Sequence, residues 1–109
     1  MEPILLVYTT CKNIDEARMI GRTLVREKIA ACANIIEKME SIYYWNGELI
    51  EDGEAILISK TVESCFPSLE KRIRELHSYS NPCILGIPIQ SGAENYLSWI
   101  NESIRKSES

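Results

Sequence analysis

The sequence predicts an α+β sandwich with element order β-α-β-β-α-β, an extended hairpin between strands two and three, and an extra C-terminal helix. Three observations carry that prediction. Ile4-Leu5-Leu6-Val7 is an unbroken apolar run, which suits a central strand buried on both faces. Asn13 with Glu16 has capping-box spacing and opens a segment whose apolar residues recur at the helical period. Ser41-Ile42-Tyr43-Tyr44-Trp45-Asn46-Gly47 runs three consecutive aromatics into an Asn-Gly turn, where both turn positions need positive φ.

Each element follows in order. Strand one spans Pro3 to Thr10, and helix one presents Ile14, Ala17, Ile20, Gly21, Leu24, Val25 and Ile29 along one stripe. Strand two, Cys32 to Trp45, is long against the usual five or six residues, so a bulge is expected at Glu37-Lys38. The chain returns from Glu48 to Ser59, with Asp52-Gly53 as a second expected irregularity and Ala55-Ile56-Leu57-Ile58 as its buried part. Helix two starts between Thr61 and Pro67, where proline is tolerated in the first turn, and buries Phe66, Leu69, Ile73 and Leu76. A polar link, His77 to Asn81, leads through Pro82 into strand four, Cys83 to Ile87, closed by Pro88. Ser91 with Glu94 opens the last helix, which presents Tyr96, Leu97, Ile100 and Ile104, and the tail from Arg105 to Ser109 is expected to fray. The order is that of a ferredoxin-like split βαβ unit. Right-handed crossovers place strand three beside strand one, with strand four on strand one's other side.

Length and composition bound the function. A chain of 109 residues, 45% hydrophobic and 26% charged, makes one domain over 1–109 that folds without a metal or a disulfide. The net charge is −4, and Lys71-Arg72 with Arg74 is flanked by Glu70 and Glu75, so nucleic acid is not an expected partner. No apolar run approaches a membrane span and no signal-peptide pattern opens the chain, so a cytoplasmic protein is expected. The four cysteines are spaced 21, 33 and 18 residues apart, which matches no compact zinc or disulfide framework.

Topology sorts the reactive residues into two groups. The end of strand one, the aromatic hairpin, the end of helix two and the start of strand four share one side, which brings Cys11, His77, Tyr79 and Cys83 together. Cys32, Lys60 and Cys65 fall at the other. Thiol and imidazole side chains at Cys11, His77 and Cys83 suit Cu(I) or Zn(II) far better than Mg(II) or Ca(II). A histidine in the last turn of a helix is equally well explained by the unpaired carbonyls and the dipole there. One histidine, no Gly-Lys-Ser/Thr loop and no G-x-S-x-G leave no catalytic constellation, so no enzyme is expected. Rings on both faces of the hairpin, at Tyr43, Tyr44 and Trp45, need cover, and the expected cover is a second copy of the chain.

Over nearly its whole length the chain resembles the CutA divalent-cation tolerance proteins. The residues that carry the likeness are Thr10-Cys11; Ile29-Ala30-Ala31-Cys32-Ala33-Asn34; the Ser41–Gly47 segment; Ile58-Ser59-Lys60-Thr61; Glu75-Leu76-His77; and Tyr96-Leu97-Ser98-Trp99-Ile100. The resemblance implies a homotrimer whose hairpins reach neighbouring subunits, copper or another divalent metal as ligand, and a role in metal-ion response. Its copper ligands carry over as Cys11 and His77. Where some bacterial members of the family have paired histidines this chain has Leu76-His77, and the family's Pro-Glu step reads Pro82-Cys83, a thiol in place of a carboxylate. The architecture is also similar to PII-type signalling trimers, which implies an alternative: a sensor holding a small molecule in an intersubunit cleft near Lys60, Tyr79 and Trp45. A third reading is a non-catalytic trimeric scaffold whose protein partner the sequence does not name.

Overall fold

The computed structural model describes residues 1–104, so the expected fraying of 105–109 lies outside the described residues. Its elements are β1 (Ile4–Cys11), α1 (Ile14–Arg26), β2 (Cys32–Trp45), β3 (Glu48–Val62), a 3-10 turn (Glu63–Cys65), α2 (Phe66–Leu76), β4 (Ile84–Pro88) and α3 (Glu94–Ser103). The sheet is antiparallel throughout in the order β2-β3-β1-β4. This is the predicted α+β architecture.

Alternation along the strands divides the sheet into two faces. Leu5, Val7 and Cys11 of β1 and Ala55 and Leu57 of β3 point to the helices, where Ala17, Ile20 and Leu24 of α1 and Leu69 and Ile73 of α2 complete the main core. Gly21 lets α1 lie close to the sheet: a Cβ there would stand 3.1 Å from that of Ala33. On the outer face, α3 covers only the end where β1 begins, packing Ile100 and Ile104 on Ile4 and Val62. Ile36, Leu85 and Ile87, further along that face, are exposed.

Asn46 (φ 51) and Gly47 (φ 78) both take the left-handed backbone that a tight hairpin turn requires. The predicted bulge also occurs, since the register slips between Ile36 and Met39. The second irregularity does not. Pairing runs unbroken past Glu40↔Gly53 and Ser41↔Asp52, because the single extra residue in β2 already absorbs the misfit. β3 runs past Ser59 to Val62, held by the start of β1 through Ile4↔Val62. Ile29 lies beyond the end of α1, where Lys28 (φ 59) turns the chain, and still packs on the core. Ser91 does not cap α3; Ala93 holds the cap position with no side-chain bond, and its carbonyl accepts from the Leu97 amide at 3.0 Å.

Candidate functional site

The end of β1 brings together the groups that topology had grouped. Cys11 is the last residue of β1 and points to the helices with 0% exposure. Asn13 caps α1 as predicted, its Oδ1 accepting from the Glu16 amide at 2.9 Å. The reciprocal half of that box is altered. The Glu16 carboxylate accepts from the Lys12 amide at 3.0 Å and, across the molecule, from the Ser78 amide at 3.0 Å. One helix-capping carboxylate thereby ties the start of α1 to the link that leaves α2.

His77 occupies the C-cap of α2 with extended backbone. Its Nε2 lies 2.8 Å from the Thr10 carbonyl, which can only accept, so Nε2 carries the proton. Its Nδ1 accepts from the Tyr79 amide at 3.0 Å, and the ring packs on the Tyr79 ring with centroids 4.8 Å apart. Glu16 Oε1 stands 3.8 Å from Nδ1. Burial alone would raise the Glu16 carboxyl, yet hydrogen bonds from Ser78 and Lys12, with the nearby His77 ring, hold it below the usual glutamate value. Cys11 goes the other way: burial first, then the carboxylates of Glu16 and Glu54, push its thiol up to about 12.

The thiol of Cys11, the carboxylate of Glu16 and the imidazole of His77 lie within 4.8 Å of one another. As donor types they fit a borderline or soft cation such as Zn(II) or copper. Each is also committed inside the chain: the single free lone pair of His77 and both Glu16 oxygens hold backbone amides. A metal there competes with those bonds and must also displace the Cys11 proton.

Cys83 is not a member of this cluster. It precedes Ile84, which pairs with Thr9 on the helix-facing side, so alternation turns Cys83 to the outer face with Thr10. Burial, then the Glu54 carboxylate, raises its thiol, while a hydrogen bond from the Thr10 backbone opposes them. On that face the hairpin and the 77–83 link enclose a groove of about 680 Å³, lined among others by Thr10, Tyr43, Trp45, Glu54, Tyr79 and Cys83. Glu54, 8% exposed, accepts from the Tyr79 hydroxyl at 2.8 Å. Burial and that bond raise the Tyr79 phenol.

Trp45 and Tyr79 therefore share a groove, but Lys60 does not join them within the chain. It pairs with Cys32 near the far end of β3, six residues from Glu54, or about 20 Å along an extended strand. There its Nζ donates to the Tyr96 hydroxyl at 3.0 Å and sits 5.2 Å from that ring's centroid. Tyr43, Tyr44 and Trp45 are 41%, 74% and 54% exposed in the single chain.

Glu16 and Glu54 are the site residues that sequence reasoning missed. The Glu16 spacing signalled a helix cap and gave no sign of the second bond to Ser78. Glu54, a lone charge opening an apolar run beside Asp52-Gly53, read as part of a strand irregularity.

The family model described as CutA1 divalent ion tolerance protein matches residues 5–103. The divalent-cation tolerance protein CutA of Thermus thermophilus is 42% identical over 103 residues, 94% of this chain and 98% of that relative. A chloroplastic CutA 1 of Oryza sativa is 36% identical over 105 residues, and this chain spans 96% of its own length and 59% of that relative's. The crystal structure of CutA1 from Oryza sativa superposes with a TM-score of 0.95 at 36% identity, covering 97% of each chain. The chain therefore belongs to the CutA1 divalent ion tolerance family.

Proposed function

We propose that the protein acts in divalent-cation tolerance as a homotrimer that takes up copper or another divalent cation at Cys11, Glu16 and His77. The observation that carries the metal reading is the approach of thiol, carboxylate and imidazole to within 4.8 Å at one end of the sheet. Cys11 would supply the soft donor and His77 the borderline one, with Glu16 offsetting charge. The trimer reading is supported by the exposed apolar residues Ile36, Leu85 and Ile87 on the outer face and by the exposed hairpin rings Tyr43, Tyr44 and Trp45. In this reading the protein is not an enzyme. A buried thiol pushed up to about 12 is the opposite of an activated nucleophile. It works in the cytoplasm, as four cysteines standing as thiols suit a reducing compartment.

Native mass spectrometry of reduced, metal-stripped protein titrated anaerobically with Cu(I) and Zn(II) tests both parts. The expected result is a trimer binding one metal per subunit, with uptake lost in Cys11→Ser with His77→Ala. Because His77→Ala also loosens the link after α2, Cys11→Ser alone, which keeps every His77 hydrogen bond, must weaken uptake as well. A trimer that stays metal-free at micromolar exposure overturns the metal reading and favours a sensor or scaffold. A monomer at micromolar concentration overturns the trimer.

A further inference from the structure

We infer that metal uptake at Cys11, Glu16 and His77 trades away one hydrogen bond, from the Tyr79 amide to His77 Nδ1, and so unlocks the turn that leaves α2. This rests on the metal reading above and adds how that site is coupled to the chain around it.

The tautomer of the ring decides which bond is lost. Nε2 donates to the Thr10 carbonyl at 2.8 Å, so the one lone pair of the neutral ring is on Nδ1. A ligating histidine commonly has this arrangement, with its other nitrogen protonated and fixed by a backbone carbonyl. Nδ1 is also the nitrogen that lies 3.8 Å from Glu16 Oε1. Its lone pair is already in use, since it accepts from the Tyr79 amide at 3.0 Å. One lone pair cannot serve an amide and a cation together, so His77 must exchange one for the other. Glu16 is under no such constraint. Each carboxylate oxygen has two lone pairs, so Oε1 and Oε2 can keep the Lys12 and Ser78 amides and still face a cation.

The bond that is traded closes a turn. His77 and Tyr79 are two residues apart, and the bond sits directly after the end of α2. Among the described residues, no backbone–backbone hydrogen bond holds residues 78–81. Glu16 and His77, two of the three metal donors, are therefore what grips the Ser78 and Tyr79 amides. Tyr79 stays tethered at its far end, where the hydroxyl donates to Glu54, so the change is confined to the 77–79 peptide. Ser78 is exposed, which brings that peptide within reach of water. The donors are closed in by their own chain, with the side chains of His77 and Glu16 0% and 5% exposed. Neighbouring copies do not alter this count of partners.

The single histidine of the chain makes the test direct. Reduced, metal-stripped protein in its native assembly is titrated with Zn(II), and bound zinc is counted by native mass spectrometry. Nitrogen NMR of the imidazole reads which ring atom is ligated, and amide hydrogen exchange reads the turn. Once zinc is bound, Nε2 should remain protonated while Nδ1 moves to a metal-bound shift. The Tyr79 amide should exchange about tenfold faster, as expected for the loss of one hydrogen bond. The Lys12 and Ser78 amides should change less than about threefold. The His77 amide, bonded to the Ile73 carbonyl at 2.8 Å, should keep its protection and so report an intact α2. In Cys11→Ser, which leaves the bonds of the turn in place, the same changes should need at least about tenfold more zinc. Zinc held through Nε2, or held while the Tyr79 amide keeps its protection, overturns the inference and leaves the metal reading standing. Exchange at Tyr79 that quickens equally in Cys11→Ser at the same zinc concentration also overturns it. An absence of zinc uptake overturns both.

Discussion

Two polar sites lie back to back across the end of β1, and Thr10 belongs to both. Its carbonyl accepts from His77 on the closed side, and the residue lines the groove on the other. On the closed side Glu16 and His77 direct their hydrogen-bonding atoms to backbone groups of Lys12, Ser78, Tyr79 and Thr10. On the open side Glu54 has, among the described residues, one phenol for a partner, beside rings that are exposed in the single chain. A closed network holds chain segments together, because any loss leaves a buried group unpaired. An open one carries charge but adds little cohesion within the chain. The difference teaches which residues hold the fold and which are left to contacts beyond the single chain.

The sharpest way to break this comparison is His77→Ala. It removes the donor to Thr10, the acceptor for Tyr79 and the ring packed on Tyr79, at a residue buried to 9% exposure. The expected loss is about 2–4 kcal/mol, read as a lower urea midpoint at fixed protein concentration. A loss under about 1 kcal/mol would mean that water replaces the ring and that the closed network is not what anchors the link.

Thiol labelling is expected to separate the two sides next. With a small alkylating reagent at mildly alkaline pH, Cys83 should react in the native state. Cys11, fully buried with its thiol pushed up to about 12, should wait for unfolding. A rate ratio of at least about a hundredfold is expected, read by mass spectrometry of the labelled peptides. Comparable rates would show that the end of β1 opens freely.

Glu16→Gln should fall between these and the groove variants. The amide keeps one accepting oxygen, so either Lys12 or Ser78 loses its partner, and about 1–2 kcal/mol of stability goes with it. Glu16→Asp, too short to span both amides, should cost as much, which would identify reach as the requirement.

The fold was largely legible from local signals because those signals agree with the tertiary structure. The apolar run of β1, the Asn13 cap and the Asn46-Gly47 turn each act over a few residues, where sequence and geometry are tightly linked. The bulge at Glu37-Lys38 was legible for the same reason. The Ser91 cap was not, since Ala93 takes that position without any side-chain bond. The site was half legible. Topology brought Cys11 to His77, but Cys83 fell on the opposite face through a one-residue alternation that a coarse strand boundary does not resolve. Glu16 and Glu54 acquire their roles only from partners 62 and 25 residues away, Ser78 and Tyr79, and no local pattern encodes such a contact.

The smallest expected effect falls on Glu54. Glu54→Gln keeps an oxygen to accept from Tyr79, so stability should change by less than about 0.5 kcal/mol, in contrast to the same exchange at Glu16. A silent mutation would distinguish nothing, but Cys83 supplies a second reading. Burial is the larger cause of its raised thiol and Glu54 the next, so removing the carboxylate should lower that thiol toward its ordinary value without reaching it. More thiolate is then present at mildly alkaline pH, and alkylation of Cys83 should quicken by about two- to threefold. Tyr79→Phe, which leaves the charge in place, should not reproduce the change. If Glu54→Gln instead costs as much stability as Glu16→Gln, the groove carboxylate is part of the fold's cohesion. The contrast between a closed side that holds the chain and an open side that does not then fails.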